Sequence, residues 1–119
     1  MAKLDHLALT VRDLILTRDW YKSVLGLEVE FEAGTAAGLT DEGEITLILS
    51  QDGSLPSQCA LYFQVDDVHT AYEEMSSRGV AFRYPPQSND WGYGAGLTDP
   101  DGRMVGLWDE VSMRDHDTT

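Results

Sequence analysis

An internal repeat constrains the fold of this chain more than any other feature. The segment 38–41, Gly-Leu-Thr-Asp, recurs letter for letter at 96–99. Residues 11–14, Val-Arg-Asp-Leu, are matched by Val-Asp-Asp-Val at 65–68. The matching segments are separated by 54 residues in this pair and by 58 in the other. The chain therefore contains two copies of one unit.

In the first copy, the pattern of apolar residues predicts a strand, a helix and three further strands. Leu4–Val11 alternates, with Leu7, Leu9 and Val11 on one face and small or polar residues on the other. Asp13 and Gly26 are typical of a helix start and stop. The later strands are predicted at 27–33, 34–40 and 44–50. The strand at 27–33 is expected to alternate, with Val29 and Phe31 on one face and Glu28, Glu30 and Glu32 on the other.

The second copy repeats this order. Apolar alternation and glycine-rich extended sequence predict strands at 59–65, 80–84, 91–98 and 103–108, with a helix at 68–78. Residues 85–89 are predicted to form a loop, and 110–119 a polar segment that frays. Asp41-Glu42-Gly43 and Asp99–Gly102 are predicted turns.

Two such units are too small to bury their sheets separately. We expect an α+β fold in which two βαβββ modules in tandem form a curved, cleft-bearing mixed sheet with helices on the convex side. A single domain at 1–111 would comprise module one at about 4–50, a linker at 51–58 and module two at about 59–109. Residues 112–119 would form a C-terminal tail.

Charge and cysteine content exclude several classes of function. Eight basic residues against 21 acidic ones give a formal net charge of −13, which argues against nucleic acid or an anionic membrane surface as a partner. Such a charge favours a cationic ligand if the acids lie near the site. The single cysteine, Cys59, permits no internal disulfide. No apolar run suits a membrane helix or a signal segment, so a cytoplasmic location is expected.

Several motifs resemble those of the vicinal oxygen chelate superfamily, the group of glyoxalases, bleomycin-resistance proteins and extradiol dioxygenases. The phrase at 6–14, His-Leu-Ala-Leu-Thr-Val-Arg-Asp-Leu, followed by Trp20-Tyr21 and Leu25-Gly26-Leu27, resembles the first module of that family. The second module of the family is resembled by four later segments of this chain: 63–68, Gly79-Val80, Trp91-Gly92 and 99–102. The resemblance covers roughly 4–109 and implies the fold, but it does not specify a reaction.

The resemblance also implies where a divalent metal would be held. His6 matches the first ligand position of the family, whereas the histidine of the second module is replaced by Ala60 and the glutamate of the last strand by Gly106. The corresponding position of module one falls on Leu47 or Ile48. Because one imidazole cannot hold Zn²⁺, Fe²⁺ or Mn²⁺ at useful affinity, we expect no metal and no other cofactor.

The concave face predicted for this fold combines small residues, aromatic side chains and a few polar groups, as a ligand pocket requires. His6 is the one candidate for catalysis, but alternation places Asp5 on the opposite face, so no orienting carboxylate is apparent. The predicted ligand-binding residues are His6, Thr10, Thr46, Ile48, Tyr62, Gln64, Trp91, Tyr93, Met104 and Trp108.

The resulting hypothesis is metal-independent binding or sequestration of a small aromatic or cationic organic molecule, in the manner of an antibiotic-resistance binder. One alternative is a glyoxalase-like lyase or isomerase, or a dioxygenase, with a divalent metal. Another is a metal-free enzyme in which His6 transfers a proton. The resemblance further implies a homodimer, in which a partner would cover sheet edges.

Overall fold

The computed structural model describes residues 1–41 and 43–116, and it divides the chain into two compact units between Gln58 and Cys59. The first unit comprises β1 (His6–Thr10), α1 (Leu14–Leu25), β2 (Glu28–Ala33), β3 (Ala36–Thr40) and β4 (Thr46–Ser50). The second comprises β5 (Leu61–Gln64), α2 (Val68–Ser77), β6 (Tyr84–Asn89), β7 (Gly92–Thr98), β8 (Met104–Trp108) and α3 (Glu110–Asp115).

Each unit contains a four-stranded mixed sheet. The strand order is β1-β4-β3-β2 in the first unit and β5-β8-β7-β6 in the second, and in each the first strand pairs parallel with the last. The remaining pairs are antiparallel. The α+β class and the two tandem βαβββ modules are therefore confirmed, whereas the single domain at 1–111 with a linker at 51–58 stays a prediction.

One face of each sheet packs against a helix, and we call this the helix face. In the first unit its core includes Leu39, Leu49 and Tyr21 of α1, all fully buried. In the second unit it includes Leu97, Val105 and Val68 of α2. Apolar side chains that alternate along the strands form these cores, which leaves the opposite face of each sheet, the open face, to carry different residues.

Helices α1 and α2 begin and end within a residue of the predicted positions. The Asp13 side chain accepts a hydrogen bond from Leu16 N, and Gly26 follows α1 with a φ of 75°, in the left-handed region that suits glycine. The Asp67 side chain accepts from His69 N and Thr70 N at the start of α2. In the described part of the chain, no helix has the length and apolar character needed to cross a membrane.

The alternation predicted for 27–33 is wrong at Phe31. A bulge in β2 shifts the register between Val29, which pairs with Leu39, and Phe31, which pairs with Gly38. The bulge turns Phe31 from the helix face to the open face, where its ring lies over Gly38. Glu32 consequently lies on the helix side and forms an ion pair with Arg18 of α1.

The strand predicted at 80–84 and the loop predicted at 85–89 are also displaced, because strand β6 occupies Tyr84–Asn89. Its two prolines are tolerated because β6 is the edge strand of its sheet and its pairing is irregular between Tyr84 and Gln87. The predicted turn at 41–43 includes Glu42, which lies outside the described residues. Gly43 N donates to the Asp41 side chain beside it at 2.6 Å.

The fraying predicted for 110–119 is wrong over most of that segment, because Glu110–Asp115 forms α3. Residues 117–119 of the predicted tail lie outside the described residues. Asp109 explains the helix, since its buried carboxylate accepts from Ser112 N at 2.6 Å and from Val68 N at 2.7 Å. One carboxylate thus caps the starts of both α2 and α3.

Replacement of this shared cap should make stability depend differently on pH. Burial opposes ionisation of Asp109, but hydrogen bonds from Ser112 and Val68 outweigh it and hold the pKa below its ordinary value. A carboxyl whose pKa is lowered by folding stabilises the protein above its unfolded pKa, and this contribution is lost as the pH falls through the folded pKa. We expect Asp109→Asn to lose about 2 kcal/mol at neutral pH, with the loss shrinking in acid.

Urea unfolding of the native protein and of Asp109→Asn at several pH values measures this effect. Asp66→Asn is a matched control, because Asp66 is an exposed aspartate near the start of α2. The stability of this control should follow that of the native protein. Parallel stability curves for native protein and Asp109→Asn across the whole pH range would contradict the role given to Asp109.

Candidate functional site

The open face of the second sheet carries aromatic side chains above glycines. Tyr62, Gly106, Gly96 and Tyr84 stand opposite one another across β5, β8, β7 and β6, so they form one row over the width of the sheet. The two tyrosines occupy the outer strands and the two glycines the inner strands. The centre of the row therefore carries no side chain, because both of its residues are glycines.

The rings fill the space that the glycines leave. A Cβ added at Gly106 would lie 2.6 Å from Tyr62 Cδ1 and 3.1 Å from Trp91 Cζ2, and one at Gly96 would lie 2.5 Å from Tyr84 Cε2. At Gly94 it would lie 2.4 Å from Trp91 Cη2. These distances are too short for a methyl group, so the rings pack directly on the backbone.

Trp91 reaches this face from the two-residue turn between β6 and β7. Asn89 and Gly92 pair across the hairpin, and the Asn89 side chain accepts from Trp91 N at 3.0 Å while donating to Gln87 O at 3.1 Å. The two hydrogen bonds of the Asn89 side chain thereby fix the turn, and the turn holds the Trp91 indole over the sheet.

Trp91 joins the two tyrosines. Its Nε1 donates to Tyr84 Oη at 2.8 Å, and its ring meets that of Tyr62 edge-on with centroids 5.1 Å apart. Tyr62 is 48% exposed, while Trp91 and Tyr84 are half-buried. We call Tyr62, Trp91 and Tyr84 the ring cluster. It presents a preformed aromatic surface with one face available to solvent.

Three more of the predicted residues lie on the same open face. Gln64 and Trp108 are paired in register, two residues along their strands from Tyr62 and Gly106, and so lie on the same face. Met104 begins β8, and its sulfur accepts from Arg83 Nη1 at 3.4 Å. The structure therefore brings together five predicted residues of the second unit: Tyr62, Gln64, Trp91, Met104 and Trp108.

The structure does not place Tyr93 with them. Tyr93 lies on the helix face, buried, with its hydroxyl 3.0 Å from His69 Nε2 of α2 and its ring stacked on His116 at 3.7 Å. The reason is strand alternation, since Tyr93 stands between Gly92 and Gly94 in β7 and points away from the ring cluster.

The predicted residues of the first unit share the open face of its own sheet. His6 pairs with Thr46 and Ala8 with Ile48. Thr46 Oγ1 also donates to Glu30 Oε2 at 3.2 Å. Thr10 closes β1, and its backbone exchanges hydrogen bonds with Ser57, at 2.9 Å to the serine Oγ and 2.9 Å from the serine N.

His6 has a carboxylate neighbour that alternation does not predict. Its Nδ1 lies 3.1 Å from Asp5 Oδ2, with both side chains exposed. Asp5 precedes the first residue of β1, so the alternation of the strand does not fix its direction. The predicted absence of an orienting group is therefore wrong, although an exposed pair of this kind holds its geometry weakly.

Sequence reasoning missed three residues of the open faces: Glu30, Phe31 and Tyr84. The repeat contained a signal for two of them, because Phe31 lies over Gly38 and Tyr84 over Gly96, and these glycines are equivalent in the two copies. A strand glycine at an otherwise well-packed position often marks the close approach of another group. Glu30 lies at the β2 bulge, which gives no comparable signal.

The open faces do not supply the ligand set of a metal site. Among residues 1–41 and 43–116, no group of three or more His, Cys, Asp or Glu side chains could hold a metal ion. Ala60 and Gly106 have no donor side chains, and the space above Gly106 is filled by the rings of Tyr62 and Trp91. The residues present thus do not fit the metal that the resemblance implies.

Comparison with known proteins identifies the family. A model of the glyoxalase/bleomycin resistance protein/dioxygenase superfamily matches residues 3–107. A search of curated proteins finds no match.

Several solved structures share the fold. TnmS3, an antibiotic binding protein from Streptomyces sp. CB03234, is 24% identical, with a TM-score of 0.76 over 92% of this chain and 96% of that one. An integron cassette protein from the mobile metagenome of V. cholerae is 26% identical, with a TM-score of 0.72 over 92% and 95%.

The bleomycin-binding protein of Streptomyces verticillus, solved with copper(II)-bleomycin, is 23% identical, with a TM-score of 0.73 over 92% of this chain and 99% of that one. These similarities extend over nearly the whole of each chain, as the family match does. This chain belongs to the glyoxalase/bleomycin resistance protein/dioxygenase superfamily.

Proposed function

We propose that the chain binds a small, flat aromatic or cationic organic molecule on the open face of its second unit, without a metal. The observation that carries the proposal is the ring cluster packed over Gly94, Gly96 and Gly106. Aromatic surfaces of this kind bind flat ligands by stacking and by displacement of water. The cluster needs no rearrangement to do so, because Asn89 and Tyr84 already hold Trp91 in place.

The charge of the chain favours a cation. Twenty-one acidic residues against eight basic ones give a negative field that raises the local concentration of positively charged solutes. An organic cation can also lie against the faces of Trp91 and Tyr62, where the ring quadrupoles attract it. Two similar structures, TnmS3 and the bleomycin-binding protein, are of proteins that bind antibiotics, so the fold accommodates such ligands.

A titration with proflavine, a flat aromatic cation, tests the proposal. The protein is first treated with EDTA, and the anisotropy of proflavine fluorescence is followed at about 0.15 M salt, which weakens non-specific attraction to the acidic surface. We expect saturable binding that EDTA does not change, and a loss of at least about tenfold in affinity for Trp91→Ala.

Trp20→Ala is the matched control, because Trp20 lies on α1 and packs edge-on against Tyr21 at 4.9 Å. It should retain the affinity for proflavine. Equal weakening by the two tryptophan variants, or binding that disappears with EDTA, would contradict the proposal.

A second candidate is proton transfer by His6 without a metal, which the contact of its Nδ1 with Asp5 favours. A carboxylate beside one ring nitrogen orients the imidazole so that the other nitrogen can take or give a proton. If His6→Ala abolished the turnover of a substrate but left its affinity unchanged, the result would support catalysis by His6 over binding alone. A metal-dependent lyase, isomerase or dioxygenase is less well supported, because Ala60 and Gly106 supply no ligands.

The proposal includes assembly into a homodimer in the cytoplasm. Each sheet has two outer strands, β1 and β2 in the first unit and β5 and β6 in the second, and a second copy could pair with such an edge. The charges of Glu28, Glu30 and Glu32 make β2 the poorer edge for such pairing. Sedimentation at micromolar concentration measures the state of assembly.

A further inference from the structure

We infer that Tyr84 selects ligands that carry a hydrogen-bond acceptor on the aromatic ring system. The inference rests on the proposed function, since it concerns which flat molecules the ring cluster prefers. It arises from the direction of one hydrogen bond, in which Trp91 Nε1 and Tyr84 Oη lie 2.8 Å apart.

The direction of this bond is fixed by the chemistry of its partners. An indole nitrogen carries a hydrogen and has no free lone pair, so Trp91 can only donate. The Tyr84 oxygen must therefore accept, and its own hydrogen must point away from Trp91. In the part of the chain that the structure describes, no acceptor for this hydrogen is found.

The position of Tyr84 makes this hydrogen relevant to binding. The Tyr84 ring packs over Gly96 within the row that leads to Gly106 and Tyr62. The hydroxyl therefore lies at the margin of the aromatic surface, beside the indole on which a ligand would stack. In the free protein, the hydroxyl hydrogen of this half-buried side chain can donate to water.

A stacked ligand would displace that water. A ligand with a ring nitrogen or carbonyl oxygen at this margin restores the hydrogen bond, whereas a pure hydrocarbon leaves the donor unsatisfied. Donation from Trp91 also polarises the hydroxyl and makes it a better donor. The ring cluster would thus select heteroaromatic or carbonyl-bearing ligands over hydrocarbons of the same shape.

Quinoline and naphthalene test this inference because they differ by one acceptor nitrogen in place of a CH group. Their binding to the full-length protein is measured by quenching of tryptophan fluorescence at mildly basic pH, where quinoline is neutral. We expect the native protein to prefer quinoline by about fivefold, the effect of one hydrogen bond. Tyr84→Phe should abolish this preference. Because the Tyr84 hydroxyl also holds Trp91, the readout is the ratio of the two affinities within each variant, and a lower affinity for both probes does not affect it.

Tyr72→Phe is the matched control, because Tyr72 lies on α2 against Phe82, with ring centroids 4.7 Å apart. Tyr72→Phe should keep the preference for quinoline. If removal of any tyrosine hydroxyl disturbed the protein enough to abolish the preference, Tyr72→Phe would abolish it as well. Equal affinities of the native protein for the two probes, or failure of both while proflavine binds, would overturn the inference alone. Failure of quinoline, naphthalene and proflavine together would overturn the proposed function.

Discussion

Replacement of Arg103 by methionine is expected to cost about 3 to 5 kcal/mol of the free energy of unfolding, because it leaves a buried charge without its partner. The Arg103 guanidinium forms an ion pair with the Asp99 carboxylate, and the two side chains are 1% and 0% exposed. Asp99 also accepts from the backbone N of Arg103 and of Asp101, both at 2.9 Å. The pair therefore closes the turn that leads into β8.

Urea unfolding measures this effect, and a second substitution identifies its cause. Arg103 also lies 3.7 Å from the buried carboxylate of Asp101. Adding Asp99→Asn to Arg103→Met removes the nearer of the two buried charges and keeps an oxygen for the backbone donors, so it should restore part of the lost stability. Arg18→Met is the control, because Arg18 pairs with Asp19 and Glu32 at the surface, and it should lose far less. A loss for Arg103→Met no greater than that of the control would contradict the prediction.

Gly106→Val should weaken proflavine binding more than about tenfold while leaving most of the stability intact. The new side chain would enter the space of Tyr62 and Trp91, whose rings lie 2.6 Å and 3.1 Å from an added Cβ. Tyr62 is 48% exposed and can swing outward, so the strain is relieved at the expense of the ring cluster. The titration used for the native protein measures the affinity.

The first unit provides a matched comparison for this substitution. A Cβ at Gly38 would lie 2.2 Å from Phe31 Cε1, so Gly38→Val displaces a ring in the same manner on the other sheet. We expect this variant to bind proflavine with nearly native affinity, because the ring cluster is untouched. If both glycine variants bound as tightly as the native protein, stacking on the ring cluster would not be the mode of binding.

The sequence predicted the architecture well because the repeat, the alternation and the helix caps all pointed to one arrangement. Asp13, Gly26 and Asp67 act as caps in the structure as their positions indicate. The errors occurred where a local irregularity changes the period of the chain. The β2 bulge turns Phe31 to the open face, and the two prolines of β6 predict a loop because prolines are rare inside sheets.

The site was harder to predict than the fold. The sequence predicts that Tyr62 and Trp91 belong to the site, but it makes Tyr84 the end of a strand and does not predict the hydrogen bond between Tyr84 and Trp91. A hydrogen bond between side chains on a turn and an edge strand depends on angles that residue spacing does not encode. The prediction for Tyr93 is wrong because the sequence pattern makes 91–98 one extended stretch, whereas β7 begins at Gly92 and its alternation puts Tyr93 on the helix face.

The shared cap at Asp109 has a consequence for the independence of the two helices. The residue precedes α3, yet it accepts from Val68 N, 41 positions earlier in the chain. Any opening of the segment at 109–112 therefore also exposes the first amide of α2, and the two helix starts lose protection together. The start of α2 therefore depends on a residue at the start of α3, and we expect the amides at the two helix starts to exchange with solvent at similar rates.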